Sequence, residues 1–457
     1  MRGARIESSE SMQSLNAKTS LNVKTLIDEG SLRPVHLRVF LCCIVSLTFE
    51  GYDLVVYGAT LPLLMREWHM DPAYAGLIAS FGFAAAVLGA IAGGSMGDIW
   101  GRKRTIITSV IIYSVGSFAC ALAHAPLWFA CFRVFGGIGM GMTLQNEVGM
   151  VSEYFPARSR QAAVAGVTTG MQFGGILSAL VAIALVQRYG WTSAYYFGSL
   201  PIVMVPVLIR YLPEAPWLLV LKRRWSELRQ VLAELRPEMR PQLAAADAEF
   251  VYPKSQEKPT LAEVFAEGRA LSTVLFWTVY FMNVFVIYGT NTWIPKLMMN
   301  SGRSVQASLT IYLALFVGAL VASPILGLLA DRFGSKRITI LCYLCGFCFI
   351  LLLAAPMSLP LTILVVALVG VCTMGAQNAT HAYVAQYFPP AVKSTMMGWG
   401  LSVGRFGGLL GPLVGGVLLS LHATLVTSYL AFAVPCLVSA LAITFVQDRF
   451  AFNKAVK

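Results

Sequence analysis

Among the ionisable residues that lie inside long apolar stretches of this sequence, where a charge is costly, four are the leading candidates for chemistry. Glu50 and Asp53 lie three positions apart in the first stretch, so they share one face of a helix. Arg133 and Arg405 each lie inside a later stretch. Ionisable groups within membrane-spanning segments are expensive and are functional candidates by default. The acids could bind and release protons, because an unpaired carboxylate in an apolar medium readily takes up a proton.

The guanidinium of Arg405 suits a carboxylate ligand. It can bind a carboxylate through two hydrogen bonds, and it stays charged at any working pH. Structural roles remain open for all four residues. Glu50 and Asp53 could form a permanently satisfied network, Arg133 could only tie two helices together, and Arg405 could bind helix carbonyls. The long side chain of Arg133 could cover part of the distance to Asp53, so an ion pair between them is open but not assured.

Composition places these residues in a membrane protein. The 457 residues are 57% hydrophobic and 12% charged, whereas soluble domains carry about 25% charged residues. Apolar stretches near the ~20 residues that cross a bilayer as a helix recur along the chain, which predicts an all-α membrane protein with twelve transmembrane helices. The predicted spans are 37–65, 72–97, 104–123, 127–150, 161–187, 192–212, 271–298, 305–330, 337–355, 359–384, 394–420 and 424–446.

Two halves of the sequence repeat each other at one offset. Asp98 matches Asp331, and 331 − 98 = 233. Further matches at this offset are Tyr154-Phe155-Pro156 with Tyr387-Phe388-Pro389, Phe173-Gly174-Gly175 with Phe406-Gly407-Gly408, and Pro62 with Pro295. We therefore expect two pseudo-symmetric six-helix bundles. Arg405 aligns with Gln172 at this offset, so duplication alone does not explain the charge of Arg405.

The polar segments predict five regions and an orientation. We expect an N-terminal tail at 1–36, a six-helix bundle at 37–212, a linker at 213–268, a second bundle at 269–447 and a tail at 448–457. Basic residues cluster in alternate short loops, which is the pattern of loops that stay in the cytoplasm. Both tails and the linker are therefore expected in the cytoplasm, in a multi-pass protein of the cell inner membrane.

The net charge of +12 does not indicate nucleic-acid binding, because the basic residues follow this loop pattern. Cys342, Cys345 and Cys348 have three-residue spacing but lie on an apolar helix without a partner cluster. We interpret them as packing residues and expect no metal site.

The segment from Gly94 to Lys103 resembles the loop motif of the major facilitator superfamily. It departs from that pattern at Ile99, where Arg is usual, whereas the second copy keeps Asp331-Arg332. The resemblance implies a cytoplasmic gate in which an acid at a helix end meets a helix of the other half. The residues expected in this gate are Asp98, Arg102, Glu153, Arg160 and Asp331.

A finer resemblance, over almost the whole chain, is to the aromatic acid:proton symporter family. It rests on Phe49-Glu50-Gly51-Tyr52-Asp53 in the first span, where the family has Asp in place of Glu50. It also rests on the glycine-rich run from Arg133 to Gly141, on 382–389, and on Gly404-Arg405-Phe406-Gly407. The run 51–58 looks most like the benzoate branch.

Planar side chains could line a pocket for an aromatic ring, because stacking surfaces suit a planar ligand. The candidates are Tyr57, Tyr288, Asn291, Trp293 and Trp399. Membrane helices are rich in aromatic residues, so packing is the competing interpretation. Transport roles also stay open for Glu147, which could snorkel to the interface, and for His381, which could protonate near neutral pH.

These features together predict a proton-coupled symporter that takes up aromatic carboxylates such as benzoate or hydroxybenzoates by alternating access. Asp53, Glu50 and Arg133 would couple the proton, and Arg405 would bind the carboxylate. The proton gradient is the expected energy source, with no cofactor and no enzymatic activity. The expected partners are the substrate, protons and the lipid bilayer, with the monomer as the functional unit.

Three alternatives have specific sequence features. Pro213-Glu214-Ala215-Pro216-Trp217 resembles a sugar-porter motif, but the seventh span lacks the paired glutamines that sugar hydroxyls would need. A drug:proton antiporter would carry a Gly-Pro motif in the fifth span, whereas Gly411-Pro412 is in the eleventh. A transporter-like membrane receptor or sensor would need a signalling domain, which the sequence does not show.

Overall fold

The computed structural model describes residues 20–244, 249–253 and 260–452. Within these ranges, twelve helices are long and apolar enough to cross a membrane. The first six are α1 (Pro34–Glu67), α2 (Pro72–Ile99), α3 (Arg102–Ala121), α4 (Pro126–Tyr154), α5 (Ala157–Tyr189) and α6 (Thr192–Tyr211). The second six are α7 (Ala270–Asn300), α8 (Val305–Phe333), α9 (Ser335–Leu352), α10 (Leu359–Tyr387), α11 (Pro390–Ser420) and α12 (Leu425–Phe445). The predicted all-α membrane fold is thus confirmed.

The internal repeat is visible in the backbone. Gly101 ends the turn between α2 and α3 at φ 109°, and Gly334 occupies the same place between α8 and α9 at φ 89°. The two glycines are separated by 334 − 101 = 233 residues, which is the offset of the sequence repeat. Glycine adopts this conformation at little steric cost, so each helix can begin directly after the previous one ends.

Short elements outside the spans pack at one end of the bundles, where Leu261–Phe265 contacts α7 and α11 and the others lie at the first bundle. They include the helices Val23–Asp28, Pro216–Leu221, Trp225–Leu235, Arg240–Ala244 and Leu261–Phe265, and a parallel strand pair of β1 (Ser20–Asn22) and β2 (Glu249–Val251). Arg38 at the start of α1 pairs with Glu234 of the linker at 2.5 Å. We call this end, where α1 and α3 begin, the basic end, and the other the opposite end.

The two bundles contact each other through α1 with α7, α2 with α11, and α5 with α8. Hydrogen bonds cross between them from Ser80 Oγ to the Leu409 carbonyl (2.7 Å) and from the Tyr312 hydroxyl to the Val55 carbonyl (3.2 Å). At the opposite end, the Ser420 hydroxyl donates to Asp71 at 2.7 Å. This hydrogen bond lowers the pKa of the Asp71 carboxyl.

The glycines on the facing sides of α2 and α11 show that the bundles separate towards the basic end. A methyl group built on Gly76 would lie 2.6 Å from the Pro412 carbonyl oxygen. Gly94 lies on the same face of α2 five turns further along, and a methyl group built there would have no atom within 4 Å. The same holds for a methyl group built on Gly398 of α11. The protein is therefore closed at the opposite end and open between α2 and α11 at the basic end.

We expect Gly76→Ala to shift the protein away from this conformation, because its methyl group would overlap the backbone of α11. Gly94→Ala, on the same helix face, is the matched control and should leave the conformation unchanged. The measurement is the distance between spin labels at His69 and His422, with the exposed Cys131 and Cys348 replaced. An unchanged distance distribution in Gly76→Ala would show that this glycine contact does not hold the end closed.

Candidate functional site

A cavity of about 220 Å³ lies between the two bundles. This volume is below the ~300–1,000 Å³ of pockets for drug-sized ligands, so it suits a small molecule. Both halves line it, and the chain reaches it on α1, α2, α4, α5, α7, α10 and α11. The lining residues include Glu50, Phe83, Met140, Gln145, Met171, Tyr288, Gln377, Leu401 and Arg405.

Arg405 and Glu50 bring opposite charges to this cavity. Glu50 is only 6% exposed, and its Oε2 has no hydrogen-bond partner among the described residues. Arg405 is half-buried, and in the described part of the chain it forms no hydrogen bond or ion pair. The Arg405 charge acts on Glu50 across the cavity without forming a direct ion pair. The guanidinium therefore keeps its donors available to a ligand.

An aromatic pair forms the wall of the cavity towards the opposite end. The rings of Phe83 and Tyr288 have centroids 4.3 Å apart at an interplanar angle of 56°. Behind them lies a second cavity of about 30 Å³, lined by Tyr57, Asn291 and Arg133, which is roughly the volume of one water molecule. A planar ligand in the larger cavity would thus meet a ring surface at one side.

Asp53 and Arg133 form a buried ion pair, which the sequence left open. Arg133 Nη1 donates to Asp53 Oδ2 at 3.2 Å and to the Asp53 carbonyl at 3.0 Å. The side chains are 2% and 7% exposed, respectively. The Arg133 guanidinium also lies 5.7 Å from the ring centre of Tyr57. Asp53 Oδ1 has no hydrogen bond within 3.5 Å in the described chain.

The predicted aromatic pocket is only partly assembled. Tyr288 lines both cavities, and Tyr57 and Asn291 line the small one. Trp293 is fully buried and donates to the Pro412 carbonyl at 2.8 Å, so it packs α7 against α11. Trp399 is 45% exposed on the bundle surface, where it neighbours Trp277. The structure does not bring Trp293 or Trp399 to the cavity.

The predicted gate residues lie at the basic end but form separate contacts. Arg102 Nε pairs with Glu153 at 2.6 Å, and Arg160 pairs with Asp28 before α1. Asp98 is exposed, in keeping with the open basic end. Asp331 lies in α8, and its side chain is outside the described part of the structure.

Two further titratable residues are placed away from the cavity lining. Glu147 of α4 is completely buried, and we return to it below. His381 Nδ1 lies 2.8 Å from the Tyr280 hydroxyl, so this histidine is hydrogen-bonded within the second bundle.

Some lining residues gave no signal in the sequence. Phe83, Met171 and Gln377 line the cavity, but a phenylalanine, a methionine or an amide in an apolar helix is ordinary. Glu214, in the segment that resembles a sugar-porter motif, accepts from the backbone N–H of Lys103 at 3.1 Å. It therefore compensates the start of α3 and lies outside the cavity.

Sequence comparison gives matches over most of the chain. The family model described as "Major Facilitator Superfamily" matches residues 43–319 and 276–454. A benzoate transport protein of Acinetobacter baylyi is 34% identical over 437 residues, which cover 94% of this chain and 93% of the relative. A gallate transporter of Pseudomonas putida is 31% identical over an alignment that covers 93% of this chain and 94% of the relative. A 4-hydroxybenzoate transporter of Pseudomonas aeruginosa is 31% identical over an alignment that covers 89% of this chain and 92% of the relative.

Solved structures share the fold at low sequence identity. A bacterial homolog of the human lysosomal transporter Spinster, inward-facing and occupied, has a TM-score of 0.75 at 16% identity and covers 93% of this chain and 100% of its own. The inward-open xylose transporter of Escherichia coli has a TM-score of 0.70 at 15% identity, covering 90% and 96%.

The Asp53–Arg133 pair predicts a non-additive effect on stability. Arg133→Met should lower the apparent melting temperature of the purified protein strongly, because an unpaired buried charge costs ~3–5 kcal/mol. Adding Asp53→Asn should restore part of the loss, since the uncompensated carboxylate is then removed. Melting curves of the wild type, both single variants and the double variant measure this coupling. Simple additivity of the two effects would argue against the pair.

Proposed function

We propose that this chain, which belongs to the Major Facilitator Superfamily and groups there with aromatic-acid transporters, imports aromatic carboxylates together with protons. It is a membrane transporter and not an enzyme. The observation that carries the proposal is Arg405, whose guanidinium faces a cavity between the two bundles, opposite Glu50 and beside the Phe83–Tyr288 ring pair.

Substrate binding follows from the chemistry of this cavity. A guanidinium can donate two parallel hydrogen bonds to a carboxylate, which fixes the orientation of a planar acid. The ring of the substrate then points towards the aromatic and aliphatic lining, where burial of apolar surface stabilises it. The cavity volume of about 220 Å³ favours a single-ring acid over a larger ligand.

Proton coupling is assigned to the acids of α1. A protonated Glu50 would let the substrate carboxylate replace it as the counter-charge of Arg405. Asp53 would hold Arg133 in place and exchange its proton when the bundles rearrange. A benzoate-like acid carries one negative charge, so uptake against a membrane potential that is negative inside needs cotransported protons.

Alternating access supplies the movement. Duplicated halves around a central site are typical of transporters that rock one bundle against the other. The structure is closed at the opposite end and open at the basic end, so it corresponds to one of the two states that such a cycle requires. We infer from the basic loops that this open end faces the cytoplasm of an inner-membrane protein, with both termini there. One chain holds a complete cavity, which favours a functional monomer.

Uptake by cells that express the protein tests the substrate class directly. Radiolabelled benzoate, hydroxybenzoates and gentisate are compared with glucose, each against cells with the empty vector. Saturable uptake of at least one aromatic acid, abolished by a protonophore, is expected. Protonophore-sensitive uptake of glucose alone would support a sugar porter instead.

Asp53→Asn should abolish uphill accumulation of the aromatic acid and retain some exchange of substrate across the membrane, because the residue can no longer bind or release a proton. Glu50→Gln should have the same effect. Accumulation driven by a pH gradient and counterflow are measured in proteoliposomes at matched protein content. Normal pH-driven accumulation in both variants would remove these acids from the coupling role.

Arg405→Lys should weaken binding of the aromatic acid although it keeps the charge, since Lys cannot offer a planar pair of donors. Losing a hydrogen bond to a charged group costs ~1.5–3 kcal/mol, which is roughly 10- to 150-fold in affinity. Arg405→Ala should bind more weakly still. Binding of a benzoate-like acid and of its uncharged amide is compared in purified protein, with folding checked by melting temperature. If Arg405→Ala still prefers the acid over the amide, Arg405 does not bind the carboxylate.

A further inference from the structure

Facing rows of polar residues run along the contact between α1 and α4. On α1, Ser46, Glu50 and Asp53 follow one helix face at intervals of four and three residues. On α4, Arg133 and Glu147 lie fourteen residues apart, which is about four turns and therefore again one face. Arg133 binds Asp53 towards the opposite end, whereas Glu147 lies beside Ser46 towards the basic end.

Glu147 is enclosed without a cationic partner in the described structure. Its side chain is 0% exposed, and neither carboxyl oxygen has a hydrogen-bond partner there. The neighbouring Ser46 hydroxyl is also without a partner, and the Tyr113 hydroxyl donates to the Ser46 carbonyl at 3.4 Å. A buried carboxylate without a partner costs several kcal/mol, so a proton lost from this carboxyl must soon be replaced.

The charged group that acts on Glu147 is another acid. Glu50 acts on it from α1, and the other titratable neighbours are Cys42 and Cys43 on α1 and Tyr113 on α3. The cations of the surrounding helices have other partners or lie at helix ends. Arg102 of α3 binds Glu153, Lys103 binds the Ile209 carbonyl, Arg160 of α5 binds Asp28, and Arg158 lies at the basic end of α5. The acid Asp98 lies at the basic end of α2.

This arrangement differs from that of Glu50, which has Arg405 across the cavity. Two neighbouring carboxyls cannot both ionise cheaply in an apolar interface, so they favour one shared proton over two charges. The carboxyl that can offset its charge with Arg405 is Glu50. A proton on the pair is therefore better placed on Glu147 whenever no substrate anion occupies Arg405.

We propose that Glu147 gives its proton to water at the basic end after the substrate leaves, and that the proton released by Glu50 then reloads it. In the reloading step the O–H bond at Glu50 breaks and an O–H bond at Glu147 forms, so the charge of the pair does not change. The ionised Glu50 then replaces the substrate carboxylate as counter-charge of Arg405. The inference rests on the proposed proton coupling and adds the route by which the proton leaves.

Two variants of Glu147 separate this role from packing. Glu147→Gln keeps the size of the side chain and cannot carry a proton, whereas Glu147→Asp keeps the acid and loses a methylene group. A proton carrier should tolerate Asp better than Gln. A residue that only fills space should tolerate Gln better than Asp, because the shorter side chain leaves a void.

The experiment compares both variants with the wild type in proteoliposomes. Accumulation of labelled benzoate under a pH gradient is measured beside benzoate–benzoate exchange, which requires no net proton release. We expect Glu147→Gln to accumulate about 100-fold less than the wild type, the lower range for loss of a proton-transfer group, with exchange retained. Glu147→Asp should accumulate close to the wild-type level.

Each other outcome is also decisive. Wild-type accumulation in Glu147→Gln overturns the relay and leaves the proposed function intact. If the wild type itself does not couple benzoate accumulation to the pH gradient, both the relay and the proposed function are overturned. This outcome is distinct because it is seen in the wild type and not only in the variants. If both variants lose exchange as well, the infrared carbonyl band of protonated carboxyls decides in the purified protein. A pH-dependent band that Glu147→Gln removes supports the proposal, and its absence in the wild type overturns it.

Discussion

A carboxyl group inside an apolar helix bundle must be paired, protonated or exposed to a water-filled cavity, and this constraint organises the first bundle. Three acids lie in the interface between α1 and α4, and each has a different environment. Asp53 is paired with Arg133, Glu50 lies on the cavity opposite Arg405, and Glu147 is enclosed without a partner among the described residues. In the proposed mechanism, the unequal compensation of the three acids sets the direction of proton movement.

The contact between the bundles links this chemistry to movement. Small residues let α2 and α11 touch at the opposite end, and the helices separate from there towards the basic end. Arg405 lies on α11 in one bundle, whereas Glu50 and Phe83 lie in the other. A rocking motion of the bundles therefore changes the distance between the guanidinium and the acid, and with it the electrostatic cost of leaving either one unpaired.

The helices were predictable because a span needs a long apolar run, and the repeat offset fixed the two halves. Glu50, Asp53, Arg133 and Arg405 stood out in the sequence because charges are rare in such runs. Depth and rotation within the bundle were not predictable to the same degree. Trp399 and Tyr288 look alike in sequence, yet one lies on the bundle surface and the other in the cavity. Phe83 gave no signal at all, since apolar residues fill every span.

The central claim is that the carboxylate and a proton move together, and simultaneous recording of both fluxes tests it most directly. Wild-type proteoliposomes without an imposed gradient receive labelled 4-hydroxybenzoate on one side, while a pH indicator follows the lumen. Protein-free vesicles correct for diffusion of the neutral acid. The account predicts that protein-dependent entry of label acidifies the lumen in parallel, and that the uncharged amide causes neither change. Protein-dependent entry of label with no proton movement would contradict it.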